Sequence, residues 1–231
     1  MTDPLLVAAA ALAVAFICLD QTAVGQVMIS QPLVGGWILG ALFGRPLEGL
    51  AAGTLLQFLC LTEMTLGASI PPDSSFAALV GAAFVLTATP PPGWSASALL
   101  GAAVLLFFPL AWLARSLDVL IRRVNRRWTA AAEGFVADGR YGAAQMAALG
   151  GVPLFFARAF FLSWIVLWVL GSLSAAAPGW TAHLSGPLGL LARLVPFAGL
   201  GVVAARQRRS GATAAVTLFF GLGLLLTWGM S

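Results

Sequence analysis

The stretch Leu55 to Ala77, LLQFLCLTEMTLGASIPPDSSFA, decides how this chain is read. An apolar run of membrane type is broken inside it by Gln57, Glu63, a Gly-Ala-Ser run, Pro71-Pro72 and Asp73. Groups of this kind facing lipid cost several kcal/mol, about 2.5 to 3.5 kcal/mol for an Asp at a helix centre on insertion scales. The break is therefore expected to be shielded by protein or to line a polar cavity. A bound solute is to be sought there first.

Working outward, the 231 residues are 60% hydrophobic and 9% charged, with a mean hydropathy of +0.97, outside the range of soluble globular domains. The fold class that follows is all-α: a polytopic integral membrane protein with broken or re-entrant helices. Apolar stretches recur along the whole chain, and six to eight membrane segments are expected. A span needs about 20 residues, so the Leu50 to Ala88 region reads as broken helices rather than two ordinary spans. At the start, Thr2-Asp3-Pro4 lacks the basic character of a cleaved leader. Asp3 suits an N-cap and Pro4 the first helical turn, so the first segment is expected to stay. Cys18 and Cys60 sit in apolar surroundings without metal-type spacing to the single His183, and read as small buried hydrophobes.

All 12 basic residues are Arg. Arg115, Arg122, Arg123, Arg126, Arg127 and Arg140 crowd one linker, and Arg206, Arg208 and Arg209 crowd another. The positive-inside rule puts loops 114–143 and 205–211 on the cytoplasmic side, with one out-and-back excursion between them. Pro90-Pro91-Pro92-Gly93-Trp94 and Pro178-Gly179-Trp180 then fall outside. The basic charge orients the chain and is no argument for nucleic acid. Hydropathy divides the chain into an N-terminal membrane half, 1–113, a basic amphipathic linker, 114–143, and a C-terminal membrane half, 144–231. The linker suits either anionic headgroups of the lipid bilayer or a cytoplasmic partner.

No Ser, His and Asp grouping, HExxH or phosphate-binding Lys is present, so no catalytic residues, cofactor or metal site are expected. A transporter instead needs hydrogen-bonding side chains held on broken helices. The polar set Asp20, Gln21, Gln26, Gln31, Gln57, Glu63, Thr65 and Asp73 meets that need, and carboxylates and amides pair naturally with sugar hydroxyls. Gln57 and Asp73 lead the substrate-binding candidates, with Glu63, Thr65, Asp20 and Gln31 behind them. Plainer roles stand beside these: Asp20 ending the first helix, Asp73 capping the helix from Ser74, Glu48 pairing with Arg45, and Glu63 pairing with Arg158. Glycines from Gly35 to Gly53 offer a close-packing face suited to a second membrane subunit.

The run Leu19-Asp20, Gln31-Pro32-Leu33-Val34-Gly35, Leu39-Gly40 to Gly44, Gly49, Gly53, Leu56-Gln57 and Gly67-Ala68-Ser69-Ile70-Pro71-Pro72-Asp73 resembles the membrane component IIC of the mannose/fructose/sorbose family of the phosphoenolpyruvate-dependent sugar phosphotransferase system. Arg158 and Phe219-Phe220-Gly221 extend the likeness in layout. Gln57, Gln31 and Arg45 stand where the family commonly has Glu, Arg and Asp. The resemblance implies a permease subunit in the inner cell membrane that binds a hexose-type sugar in an elevator-type transport domain. It also implies a IID membrane subunit, cytoplasmic IIB and IIA proteins that supply the phosphoryl group, and an oligomeric assembly. An ion-coupled secondary transporter and a non-transporting regulatory scaffold are the alternative readings of the same residues.

Overall fold

The computed structural model describes residues 3–22, 25–61, 70–177, 179–207, 217–219 and 221–223. Eight α-helices follow in order among them: α1 (Pro4–Thr22), α2 (Pro32–Leu42), α3 (Pro46–Cys60), α4 (Ser74–Thr87), α5 (Ala96–Ala137), α6 (Tyr141–Leu149), α7 (Val152–Ala176) and α8 (Ser185–Gln207), with a short 3₁₀ turn over Gly179–Leu184. No strand occurs among the described residues. Among the described residues, four helical stretches are long and apolar enough to cross a membrane: Pro4–Gln21, Ala96–Ala137, Tyr141–Ala176 and Thr181–Ala205. α2 and α4 are apolar but shorter. Neither cysteine is in a disulfide.

The expected break is real. α3 stops at Cys60 and α4 starts only at Ser74. α4 is the axis of the core, with every residue buried except Ser75. Its 14 residues reach about 21 Å, too short for a hydrocarbon layer of about 30 Å. A helix that is apolar all round has no solvent face to offer, so it must be enclosed. α1, α2, α3, α5 and α7 enclose it, and Phe76, Leu79, Phe107, Leu39, Leu56 and Leu167 are fully buried around it.

α7 buries a narrow stripe, Ala159, Ser163, Leu167, Gly171 and Ser174, at roughly one residue per turn. Phe161, Trp164, Ile165, Trp168, Val169 and Leu173 stay exposed on its other sides, the pattern of a lipid-facing helix. Ser163 is wholly buried and donates to the Ala159 carbonyl at 2.6 Å, with the Ala11 carbonyl of α1 3.4 Å away. Side-chain oxygens that back-bond in this way let polar residues sit in a membrane helix.

The turn at Gly93-Trp94 and the 3₁₀ turn over Gly179–Leu184 lie next to each other. Trp94 Nε1 donates to the Thr181 carbonyl at 3.0 Å, and the Ser95 amide donates to Ser185 Oγ at 3.1 Å. α5 and α8 both start from that end and pass each other closely at Gly101 and Leu188, so their arginine-bearing ends point the same way. α5 runs without interruption through residues 113 and 114, where hydropathy marks a boundary. At 1.5 Å per residue its 42 residues reach about 63 Å, twice the hydrocarbon thickness. Asp118 is its last buried residue. The basic amphipathic part is therefore an outward continuation of a span.

The glycines expected to receive a second subunit are engaged within the chain. A Cβ built at Gly36 would lie 2.7 Å from the Gly53 Cα, and one at Gly40 would lie 2.9 Å from the Gly49 Cα. Cβ atoms at Gly49 and Gly53 would strike the carbonyls of Gly36 and Pro32. α2 and α3 thus form a hairpin joined backbone to backbone, the arrangement that small residues permit in lipid.

Candidate functional site

The site begins with the chemistry of α4's two ends. A helix N-terminus leaves orphan N–H groups and favours a negative charge, and a C-terminus favours a positive one. Asp73 caps the start, its Oδ1 accepting from the Phe76 amide at 3.2 Å. Arg45 serves the other end, donating through Nη1 to the Leu86 carbonyl at 2.8 Å. Both positions were read from the sequence only in part: Asp73 as a cap, Arg45 as the partner of Glu48. The Arg45–Glu48 pair is present, with Nε to Oε1 at 2.9 Å, and is about half exposed.

The other oxygen of Asp73 carries the distinctive contact. Asp73 Oδ2 accepts from Arg158 Nη2 at 2.8 Å, with only 11% and 5% of the two side chains exposed. Arg158 Nη1 donates to the Ala114 carbonyl at 3.0 Å, and its guanidinium lies 5.3 Å from the centre of the Phe76 ring. Its Nε is buried with no partner among the described residues. The Asp73 amide in turn donates to the Ala111 carbonyl at 3.1 Å. α4, α5 and α7 are thereby joined at one point. Glu63, the acid expected opposite Arg158, lies outside the described residues, as do Thr65 and Gly67-Ala68-Ser69. The described partner of Arg158 is Asp73.

Around this point lies a cavity of about 80 Å³ lined by Gln21, Ile70 to Asp73, Arg115, Asp118 and Arg122. Arg115 Nε donates to the Ile70 carbonyl at 2.5 Å, meeting a backbone oxygen that the helix break leaves without a ladder partner. Arg122 Nε donates to Asp118 Oδ2 at 2.6 Å. By charge alone Arg115 and Arg122 read as contacts to lipid headgroups or to a cytoplasmic partner, and Asp118 does not stand out. Spacings of three and seven residues put Arg115, Asp118 and Arg122 on one helix face, a signal that was available.

The remaining candidates lie elsewhere. Asp20 is buried and knits the loop after α1, accepting from the Val27 amide at 2.7 Å and from the Ser30 amide and hydroxyl at 3.2 and 3.3 Å. That loop turns through positive φ at Gly25, Gln26 and Met28. Gln57 accepts from the Leu33 amide at the start of α2, over 3.4 Å. Gln31 is exposed at the N-cap of α2, and its amide nitrogen lies 3.5 Å from the Met28 sulfur. Gln57 is not in the lining of the cavity at Asp73. Among the described residues no cluster of His, Cys, Asp and Glu could hold a metal ion.

The fold is similar to known membrane proteins. A solved structure described as a membrane protein superposes with a TM-score of 0.63 at 21% identity, covering 97% of this chain and 85% of the other. A cryo-EM structure of the mannose transporter ManYZ in complex with microcin E492 superposes with a TM-score of 0.56 at 21% identity, with the same coverage of 97% and 85%. No curated protein matches the sequence. The family pattern described as the sorbose-specific IIC component of the phosphotransferase system matches residues 5–228, nearly the whole chain, and the chain belongs to that family.

Proposed function

We propose that this chain is the sugar-binding, translocating IIC subunit of a phosphotransferase permease, that it works with a IID membrane subunit in an oligomeric complex, and that it presents a hexose-type sugar to cytoplasmic IIB and IIA proteins. The family match over residues 5–228 carries the proposal. The absence of a nucleophile, base or metal-binding motif in the sequence fits this division of labour. Phosphoryl transfer to a sugar needs a positioned hydroxyl and excluded water, while the phosphoryl group comes from the soluble partner.

Asp73, Arg115 and Arg122 supply the polar array. The carboxylate can accept from one sugar hydroxyl while a guanidinium donates to its neighbour, and Arg158, outside the lining, holds Asp73 in place. Gln57, Glu63, Thr65, Asp20 and Gln31 remain further candidates for the sugar's path. At about 80 Å³ the cavity is well below the roughly 300 to 1,000 Å³ of ordinary ligand sites, so loading requires it to widen. Motion of the α4 unit against the rest, of elevator type, is the proposed means. The arginine-bearing end is cytoplasmic by the positive-inside rule, which puts the cavity on the side where IIB would wait.

The test is uptake of labelled hexoses into cells expressing this chain with its IID, IIB and IIA partners. Uptake that requires phosphoenolpyruvate and yields phosphorylated sugar is expected. Accumulation of unmodified sugar driven by a proton or sodium gradient would overturn the proposal in favour of an ion-coupled transporter. Absence of sugar binding to the purified complex would favour a regulatory scaffold.

A further inference from the structure

A second cavity, of about 540 Å³, lies between the outer part of α5, α6 and the start of α7. It shares only Arg122 with the Asp73 site. Trp128, Leu149, Val152 and Phe155 give it apolar walls. Asn125 is set into its lining, with Nδ2 donating to the Gly151 carbonyl at 3.3 Å and a buried Oδ1 that has no partner among the described residues. The amide orientation is fixed by that contact, since a flipped amide would oppose two oxygens. A buried amide oxygen without a donor is disfavoured, so a ligand that donates there gains more than the same bond would give in water.

The cavity also attracts an anion. Arg122 lies 5.7 Å from the Phe155 ring centre, and its guanidinium is half exposed. Gly151 and Val152 belong to the lining, so the groove sits at the N-terminus of α7, where the N-cap Gly151 offers no side chain to satisfy the first turn. Exposed Arg123, Arg126 and Arg127 add to the same field. Because the basic, exposed part of α5 beyond Asp118 forms one wall and the apolar stretch Tyr141–Ala176 the other, the groove lies where the bundle meets the headgroups.

An apolar wall, a cation beside a helix N-terminus and an acceptor in need of a donor together describe one ligand chemistry. The ligand is an amphiphile with a hydrocarbon chain, a phosphate and a hydroxyl group. We infer that this groove binds an anionic phospholipid of the phosphatidylglycerol kind. The acyl chain lies along Trp128 and Phe155, the phosphate sits between Arg122 and the start of α7, and a headgroup hydroxyl donates to Asn125 Oδ1. Phosphatidylcholine lacks the donor and the net charge, and inorganic phosphate lacks the chain.

The experiment uses the full chain, delipidated in neutral detergent, with bound lipid counted by native mass spectrometry and thermal unfolding followed as each ligand is added. Phosphatidylglycerol should be retained roughly tenfold more strongly than phosphatidylcholine and should raise the unfolding temperature, while inorganic phosphate does neither. Ala148→Phe, at an exposed position on the groove wall, should abolish the preference without lowering the unfolding temperature of the lipid-free chain. Asp118→Asn combined with Arg122→Gln removes the cation without leaving a lone carboxylate, and should weaken retention by a similar factor. Equal retention of the two lipids would overturn the inference, and so would retention that survives Ala148→Phe. A shift reproduced by phosphate alone would overturn the lipid assignment in favour of a free anion. Loss of a soluble protein partner but not of lipid in Ala148→Phe would overturn it in favour of docking. None of these readouts involves sugar, so their failure is separate from failure of the permease reading.

Discussion

The α2–α3 hairpin and the α4 cradle solve the same problem, holding short apolar helices inside a membrane bundle, by opposite means. The hairpin removes side chains: Gly36, Gly40, Gly49 and Gly53 bring backbone against backbone. The cradle adds charge, with Asp73 and Arg158 at one end of α4 and Arg45 at the other. Van der Waals packing has one good arrangement and resists change, because every atom is already in contact. An ion pair beside a cavity can exchange partners at similar energy. The hairpin is thus built to stay as it is, and the cradle is the part that the proposed sugar site would call on to rearrange.

The largest effect should come from breaking the charge at the cradle. Arg158→Leu leaves Asp73 buried without its cation, at an expected cost of about 3 to 5 kcal/mol measured by unfolding in detergent. Asp73→Asn together with Arg158→Leu keeps the cap on Phe76 and removes both charges, so most of that stability should return. Sugar binding should not return. A double variant that stays as unstable as Arg158→Leu would mean that the guanidinium acts through packing on Phe76 and not through Asp73.

The hairpin comes next. Gly53→Ala puts a methyl group against the Pro32 carbonyl, a backbone atom that cannot swing aside. A cost of about 1 to 3 kcal/mol is expected, through overpacking. Sugar affinity in the surviving folded fraction should be unchanged, unlike at the cradle. A Gly53→Ala chain that melts with the parent would show that α2 and α3 can slide apart cheaply, and the contrast between the two regions would then fail.

A third substitution gives the opposite sign. Gly134 lies in the exposed outer part of α5, where an added Cβ meets nothing within 4 Å. Gly134→Ala should stabilise by about 0.4 to 1 kcal/mol, because it restricts only the unfolded chain. A loss of stability would indicate that this arm packs against something in the folded protein after all.

The sequence showed the break in the helix pattern because Pro71-Pro72 and Asp73 are local signals, and local signals survive folding. Asp73 as the cap of α4 and Asp3 at the head of α1, where its Oδ1 accepts from the Leu5 amide at 3.0 Å, are the same kind of inference. The partner of Arg158 was not legible. Its acid is 85 positions away in the chain, and nothing in a single sequence ranks Asp73 above Glu63 as its mate. The boundary at residue 113 follows hydropathy, whereas a helix continues as long as its backbone bonds do, so α5 passes through it. The glycines advertised a close interface correctly but could not say with which helix, and the chain folds them onto one another. The cavity around Asp73 is only half visible in the sequence, because charge alone sends Arg115 and Arg122 to headgroups or to a cytoplasmic partner and ignores the helix face they share with Asp118.

The smallest expected effect sharpens what Arg45 does. Its pair with Glu48 is about half exposed, and exposed ion pairs contribute about 0 to 1 kcal/mol. The bond from Arg45 Nη1 to the Leu86 carbonyl is of another kind, because it serves the C-terminus of the buried helix α4, where a cation both satisfies a carbonyl and complements the helix dipole. Glu48→Gln should therefore change the unfolding free energy by less than about 0.5 kcal/mol and leave sugar binding as it was. Arg45→Gln should cost about 1 kcal/mol or more, since it exposes the last turn of α4 to an unmet carbonyl. If the two variants are equally mild, the C-terminal charge is dispensable and α4 is held by Asp73 and packing alone. The cradle would then be pinned at one end only, and that end is the one beside the cavity.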